Sequence, residues 1–192
     1  MSNYEKLAEL LFPDITKTPE DYETIYPERG LSEGARVSRF APSPTGFLHL
    51  GGLFASMISR LTTRATDDGV FFLRIEDTDM KREIEDGVSA IITGLKDFGM
   101  DPDEGVMGFN EESGNYGPYQ QSHRKEIYQT IAKSLVIKGL AYPCFCSEDE
   151  LNSIRAEQEK VGTPIQGYFG EWAKCRDAVK RRPKGIWANG AF

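Results

Sequence analysis

Apolar positions along this chain change their spacing from segment to segment, and the changes mark its elements. Leu7, Leu10, Leu11 and Phe12 share one helical face near the start, and Pro13 ends that helix. The polar tract that follows, with Pro19, Pro27, Gly30 and Gly34, reads as extended, so residues 1–34 are expected to form an N-terminal surface arm. Arg36 to Ala41 reads as a short strand stopped by Pro42 and Pro44. From Leu50 onward, Leu53, Phe54, Met57, Ile58 and Leu61 recur at helical spacing up to Gly69. Val70 to Ile75 is then an almost unbroken apolar run, as in a parallel strand buried on both faces. A second helix carries Ile84, Val88, Ile91, Ile92 and Leu95 and stops near Gly99. Strand, helix, strand and helix at these lengths predict an α/β fold on a doubly wound parallel sheet, Rossmann-like in kind.

Past residue 100 the pattern shifts. Asp101 to Pro118, rich in Gly, Asp, Glu and Asn, reads as a loop. A helix with Ile127, Ile131 and Leu135 ends at Gly139, and Leu140 to Cys146 is strand-like. Ser147, with Glu150 three residues on, forms a capping box that opens a helix reaching about Val161. After Cys175 the tail turns basic, with Arg176, Lys180, Arg181, Arg182 and Lys184.

Charge and cysteine usage narrow the classes. With 23 Lys+Arg against 30 Asp+Glu, the net charge is -7, which excludes a DNA-coating protein and confines any nucleic-acid contact to a local patch. No apolar run has membrane-spanning length, and the first residues are acidic where a secretion signal would be basic. A soluble, cytoplasmic chain with no membrane partner is therefore expected. Cys144 and Cys146, one residue apart, with a third cysteine at 175, make a poor disulfide framework. Three sulfurs supply most of a zinc site, and three inert buried cysteines are the alternative.

Two further clusters carry chemistry. The first starts at Arg39 near the end of the strand and runs through Pro42, Ser43, Pro44, Thr45 and Gly46 to His49, Gly51 and Gly52, where a helix begins. Unpaired N–H groups at a helix start favour an anion, glycines let a phosphate come close, and His49 can donate to a phosphate oxygen. Neither the P-loop pattern nor the dinucleotide GxGxxG is present. The second cluster is Glu76, Asp77 and Asp79 at the end of the second strand, the place where open α/β sheets bind ligands. Asp77, Thr78 and Asp79 can equally cap the next helix, and a magnesium site is a weaker reading of the same carboxylates.

The order of residues from Arg39 to Gly52 resembles class I aminoacyl-tRNA synthetases, and within them the glutamyl-tRNA synthetases. His49, Leu50, Gly51 and Gly52 are similar to their His-x-Gly-His signature, with glycine in the last place. The resemblance implies an ATP site of Pro42, Ser43, Thr45, Gly46, His49, Gly51 and Gly52. In it His49, Gly51 and Gly52 cradle the triphosphate and stabilise charge as pyrophosphate leaves. It implies that Arg39, Ala41, Ser43 and Glu76 hold L-glutamate, with Arg39 on a carboxylate and Glu76 on the α-ammonium. Residues 35–110 would be the first half of the catalytic domain, and 111–192 an α+β insertion that binds the acceptor end of tRNA(Glu). Ser122 and Arg124 would touch the tRNA, although Ser122 alone reads equally as a helix cap. The stretch from Gly167 to Cys175 resembles the zinc-bearing insertion of some glutamyl enzymes, which makes Tyr168 the fourth ligand beside Cys144, Cys146 and Cys175. ATP with Mg2+ is the implied cofactor set, with structural zinc beside it.

The family's Lys-Met-Ser-Lys-Ser-type loop has no match in these residues. Half of the ATP site is expected to be missing and the chain alone to be inactive. Two rival readings are a relative that glutamylates queuosine in tRNA and a non-catalytic, zinc-stabilised tRNA-binding module. Glycine at position 52 leans toward glutamate rather than glutamine.

Overall fold

In a computed structural model, residues 1–46, 48–79, 86–108 and 110–176 are described. Ile84 and the basic tail from Lys180 onward lie outside them. The chain divides into two compact units, Lys17–Thr130 and Met1–Thr16 together with the residues from Ile131 on.

The first unit holds the sheet. Strands β1 (Val37–Phe40), β2 (Val70–Leu73) and β3 (Glu104–Gly108) are parallel, and β4 (Glu111–Ser113) runs antiparallel to β3 in the order β1-β2-β3-β4. Helices α3 (Leu50–Arg64) and α4 (Gly87–Asp97) make the crossovers. The expected α/β class with a mostly parallel sheet is what folds. Alternate residues Phe71, Leu73 and Ile75 are fully buried, as period-two geometry requires, and they pack with Phe40, Ile91, Leu95 and Val106. Gly99, with φ +63, lies just beyond the end of α4, where a left-handed residue closes a helix.

Four sequence expectations give way to packing. The arm is not wholly extended: Thr18 and Asp21 make a capping box and Pro19 opens α2 (Pro19–Ile25). The glycine-rich stretch after Asp101 contains β3 and β4, whose strand geometry comes from pairing, β3 with β2 and β4 with β3, rather than from propensity. Leu140 to Cys146 forms no strand, and Leu140 stays 72% exposed.

The fourth concerns the helix faces. In α3 the fully buried side chains are Ser56 and Thr63, while Phe54 and Leu61 of the apolar stripe are exposed. Small residues let α3 lie close to β1, where Ser38 Oγ donates to the Ser59 carbonyl at 2.7 Å. In α5 (Lys125–Ile137) the buried positions are Thr130, Lys133 and Val136, not Ile131 and Leu135. No helix among the described residues is long and apolar enough to cross a membrane.

An ion pair ties the segment before β1 to β3. Arg29 makes two hydrogen bonds to Glu104, at 2.6 and 2.7 Å, and stacks 3.8 Å from the Tyr116 ring centre. The Tyr119 hydroxyl, pushed up to about 12 by burial, also donates to Glu104 at 2.8 Å. Arg29's donation holds the Glu104 carboxyl below its ordinary 4.5. The pair's stabilisation is thus complete above that value and is lost as pH falls through the lower folded one. Glu104→Gln is expected to cost about 2 kcal/mol near neutral pH and to flatten the acid limb of a urea-unfolding series. An acid limb as steep as wild type would contradict this.

In the second unit α1 (Asn3–Leu11), capped by Ser2 and Glu5, packs Leu7 and Ala8 on Val136 of α5, and Leu10 faces out. Lys133 Nζ donates to the Ile15 carbonyl at 2.7 Å and pairs with Glu9 at 2.9 Å, so its buried amine is satisfied. Helix α6 (Glu148–Lys160) opens on the predicted Ser147–Glu150 capping box and ends at Val161. The two units cut across the expected stretches 1–34, 35–110 and 111–192.

Candidate active site

β1 ends at Phe40, but its pairing with the next strand continues. The Phe40 carbonyl accepts from Arg74 N–H at 3.0 Å and the Pro42 carbonyl from Glu76 N–H at 2.9 Å. The Pro42–Gly46 turn is thereby fixed beside the end of β2.

α3 begins at Leu50, and His49 is its N-cap: Nδ1 accepts from the Gly52 N–H at 3.2 Å. This departs from the expectation of a helix start at the glycine pair, because the imidazole itself satisfies one of the unpaired donors. A neutral ring that accepts at Nδ1 carries its proton on Nε2, which makes His49 a directed donor. The glycines serve the cap. A Cβ at Gly51 would lie 3.1 Å from the His49 ring, and one at Gly52 would lie 2.9 Å from Leu48 Cδ1.

Around this turn lies a cavity of ≈ 350 Å³, lined by Phe40, Pro42, Ser43, Thr45, Gly46, Leu48, His49, Gly52 and Ile91. It gathers six of the residues singled out for ATP. Arg39, Ala41, Gly51 and Glu76 do not line it. Arg39 is exposed on β1, Ala41 follows that strand, and Gly51 sits in the first turn of α3.

Glu76 is paired with Arg74, Nη2 to Oε1 at 2.7 Å, a contact the sequence did not suggest. Asp77 does not cap the next helix. Its Oδ1 accepts from the Ser122 N–H at 2.8 Å and its Oδ2 from the Ser122 hydroxyl at 2.6 Å. With Glu76 and Asp77 engaged in this way, the acidic strand end is a poor magnesium cage. Ser122 and Arg124 lie on a 3-10 turn, Gln121–Arg124, and Arg124 Nη1 donates to the Pro118 carbonyl at 2.6 Å.

The three cysteines converge. The Sγ atoms of Cys144, Cys146 and Cys175 all lie within 4.8 Å of one another, and Cys146 and Cys175 are 3.7 Å apart. Sulfurs held tetrahedrally at about 2.3 Å from one zinc stand about 3.8 Å apart, so the spacing suits that ion. The Tyr168 hydroxyl is 3.3 Å from Cys146 Sγ and accepts from the Cys175 N–H at 2.9 Å. Helix α6 builds the site from both ends. Ser147, its N-cap, fixes the chain just after Cys146; near the other end, buried Gln158 makes two 2.8 Å bonds with Gly167, beside Tyr168. Burial pushes the Tyr168 hydroxyl upward. Burial also opposes ionisation of Cys175, but hydrogen bonds from Tyr168, the Phe145 backbone and the other thiols outweigh it, so that thiol is lowered.

The family model of class I tRNA synthetases (E and Q), catalytic domain, matches residues 36–184. The chain belongs to this family. Among its class I synthetase relatives, the glutamate–tRNA ligase of Clostridium perfringens is 52% identical over 190 residues, covering 95% of this chain and 34% of the relative. That of Acetivibrio thermocellus is 54% identical over 178 residues, covering 91% and 32%. The crystal structure of a glutamate–tRNA ligase from Elizabethkingia meningosepticum in complex with its amino acid matches with TM-score 0.57 at 40% identity. It covers 67% of this chain and 24% of that one. The chain thus spans about a third of the length of the curated synthetases it matches.

Proposed function

We propose that this chain supplies the ATP- and glutamate-binding first half of a glutamate–tRNA ligase, with residues 35–110 as that half and 111–192 as an acceptor-binding insertion. The observation that carries the reading is the His49 cap. With Nδ1 held by the Gly52 N–H, the imidazole lines a cavity together with the Pro42–Gly46 turn and Gly52 and has Nε2 left to donate. In the proposed reaction the glutamate α-carboxylate attacks the α-phosphate of ATP, the bond to pyrophosphate breaks, and glutamyl-adenylate forms. The terminal ribose hydroxyl of tRNA(Glu) then attacks the acyl carbon and AMP leaves. His49 Nε2–H stabilises charge on the departing phosphates, where a directed donor outside bulk water is worth most. Arg39, Ala41, Ser43 and Glu76 hold glutamate, with Glu76 on the ammonium. Magnesium, when bound, would be carried on the phosphates and would neutralise their charge.

Ser122 and Arg124 shape the start of the insertion that receives the acceptor end. Zinc on Cys144, Cys146, Cys175 and Tyr168 would be structural, a closed four-ligand site with no position for substrate. The sheet would be the first half of a doubly wound domain, and the setting the cytoplasm, where translation takes place.

Calorimetric titration with a non-hydrolysable ATP analogue tests the reading. His49→Ala is expected to weaken binding by about tenfold or more, roughly 1.4 kcal/mol, through loss of one charge-assisted hydrogen bond. Equal affinity in the variant would remove His49 from the site.

A further inference from the structure

We infer that Asp77 is a positioning residue for the amino-acid site and that Ser122, 45 residues away, is its buttress. The inference rests on the reading of Glu76 as the group that binds the substrate ammonium. Glu76 lies in an extended stretch held from both sides. On one side Ile75, fully buried, donates its N–H to the Tyr119 carbonyl at 3.0 Å and accepts from Gln121 N–H at 2.9 Å. On the other, Glu76 N–H is bonded to the Pro42 carbonyl at 2.9 Å. The stretch after β2 therefore runs between the Pro42 turn and the 119–121 segment, with Glu76 directly ahead of Asp77.

Next along the chain, the Asp77 carboxylate adds a side-chain anchor. Both of its oxygens accept from one residue, the Ser122 backbone at 2.8 Å and the Ser122 hydroxyl at 2.6 Å. A carboxylate that accepts two bonds from a single residue fixes distance and rotation together, and charge-assisted bonds of this length are the strong ones. Arg74 meanwhile takes Oε1 of Glu76 at 2.7 Å, so an incoming ammonium meets the carboxylate's remaining lone pairs, whose direction follows the backbone at 76 and 77. Misplacing a binding group by about 1 Å can cost about a hundredfold. The Ser122 hydroxyl already spends its proton on Asp77, which makes it a strut of the glutamate site before it is a contact for RNA.

The test is calorimetric binding of a glutamyl-adenylate analogue and its des-amino counterpart to the wild-type chain, Asp77→Ala, Ser122→Ala and Glu76→Ala. Wild type is expected to prefer the amino form, and Glu76→Ala to lose that preference. Asp77→Ala and Ser122→Ala are expected to cut the preference by about tenfold while affinity for the des-amino form stays within about twofold. Asp77→Asn, whose side-chain carbonyl still accepts from the Ser122 N–H, is expected to recover part of it. Ser122 lies on an exposed turn, so its variant carries the test if Asp77→Ala does not fold. An unchanged preference in Asp77→Ala and Ser122→Ala, or an equal loss for both ligands, would overturn the positioning role. A wild-type chain that shows no preference, or binds neither ligand, would overturn the Glu76 reading and the inference with it.

Discussion

Cys146→Ser is expected to lose bound zinc and at least about 3 kcal/mol of stability in the unit that holds α6, because structural zinc contributes its binding free energy directly to folding. Cys146 is central to the cluster: its sulfur is 3.7 Å from Cys175 Sγ and 3.3 Å from the Tyr168 hydroxyl. Leu140 and Phe145 are 72% and 56% exposed, and Phe169 is 45% exposed, so hydrophobic burial alone gives the loop and the 167–175 stretch weak support. A metal that joins residue 146 to residue 175 would supply the missing cross-link. Metal analysis of the purified chain, with thermal unfolding before and after chelation, separates the outcomes. Chelation should lower the wild-type midpoint and leave the Cys146→Ser midpoint almost unmoved. A wild-type chain that takes up no zinc, or does not respond to the chelator, would leave the cysteines as plain thiols.

Gly105→Ala should be the most damaging single methyl in the sheet, costing more than about 3 kcal/mol. Two observations combine at this position. Its φ of +122 is one that side chains rarely tolerate, and an added Cβ would stand 2.1 Å from the Leu73 carbonyl oxygen and 2.7 Å from the Leu73 nitrogen. Those are backbone atoms of the paired central strand, since Leu73 and Gly105 are register partners, so no side-chain rotation relieves the clash. Gly30, with nothing within 4 Å of its would-be Cβ, is the control, and its alanine variant should stay within about 0.5 kcal/mol of wild type. Denaturant unfolding of both variants checks the pair. Equal midpoints would mean that the β2–β3 contact is looser than its geometry indicates.

Local signals made part of this fold legible. Proline stops, the apolar run at 70–75 and the Ser147–Glu150 capping box depend on near neighbours, and β1, β2 and α6 form where those signals stand. What depends on distant partners was hidden. β3 and β4 carry Gly, Glu and Ser and become strands only through pairing, β3 against β2 and β4 against β3. The buried faces of α3 and α5 rest on Ser56, Thr63 and Thr130 because close approach selects size over hydrophobicity, a choice that periodicity of apolar residues cannot register.

The site divides in the same way. The turn from Pro42 to Gly52 is contiguous, and six of its residues singled out for ATP do meet at one cavity. Glu76 with Arg74, two residues apart on a strand end, and Asp77 with Ser122, 45 apart, needed the folded chain to become visible. His49 as a cap had a local signal that went unread: a side-chain acceptor three residues before the N–H of Gly52 is the ordinary N-cap spacing.

The central claim is that these residues recognise glutamate as its adenylate. Its most direct test is a calorimetric comparison of glutamyl- and glutaminyl-adenylate analogues on the purified chain. Binding that favours the glutamyl form by about tenfold or more, and is lost with Glu76→Ala, is the predicted result. A folded chain that binds neither form, or binds the glutaminyl form as well as the glutamyl, would contradict it.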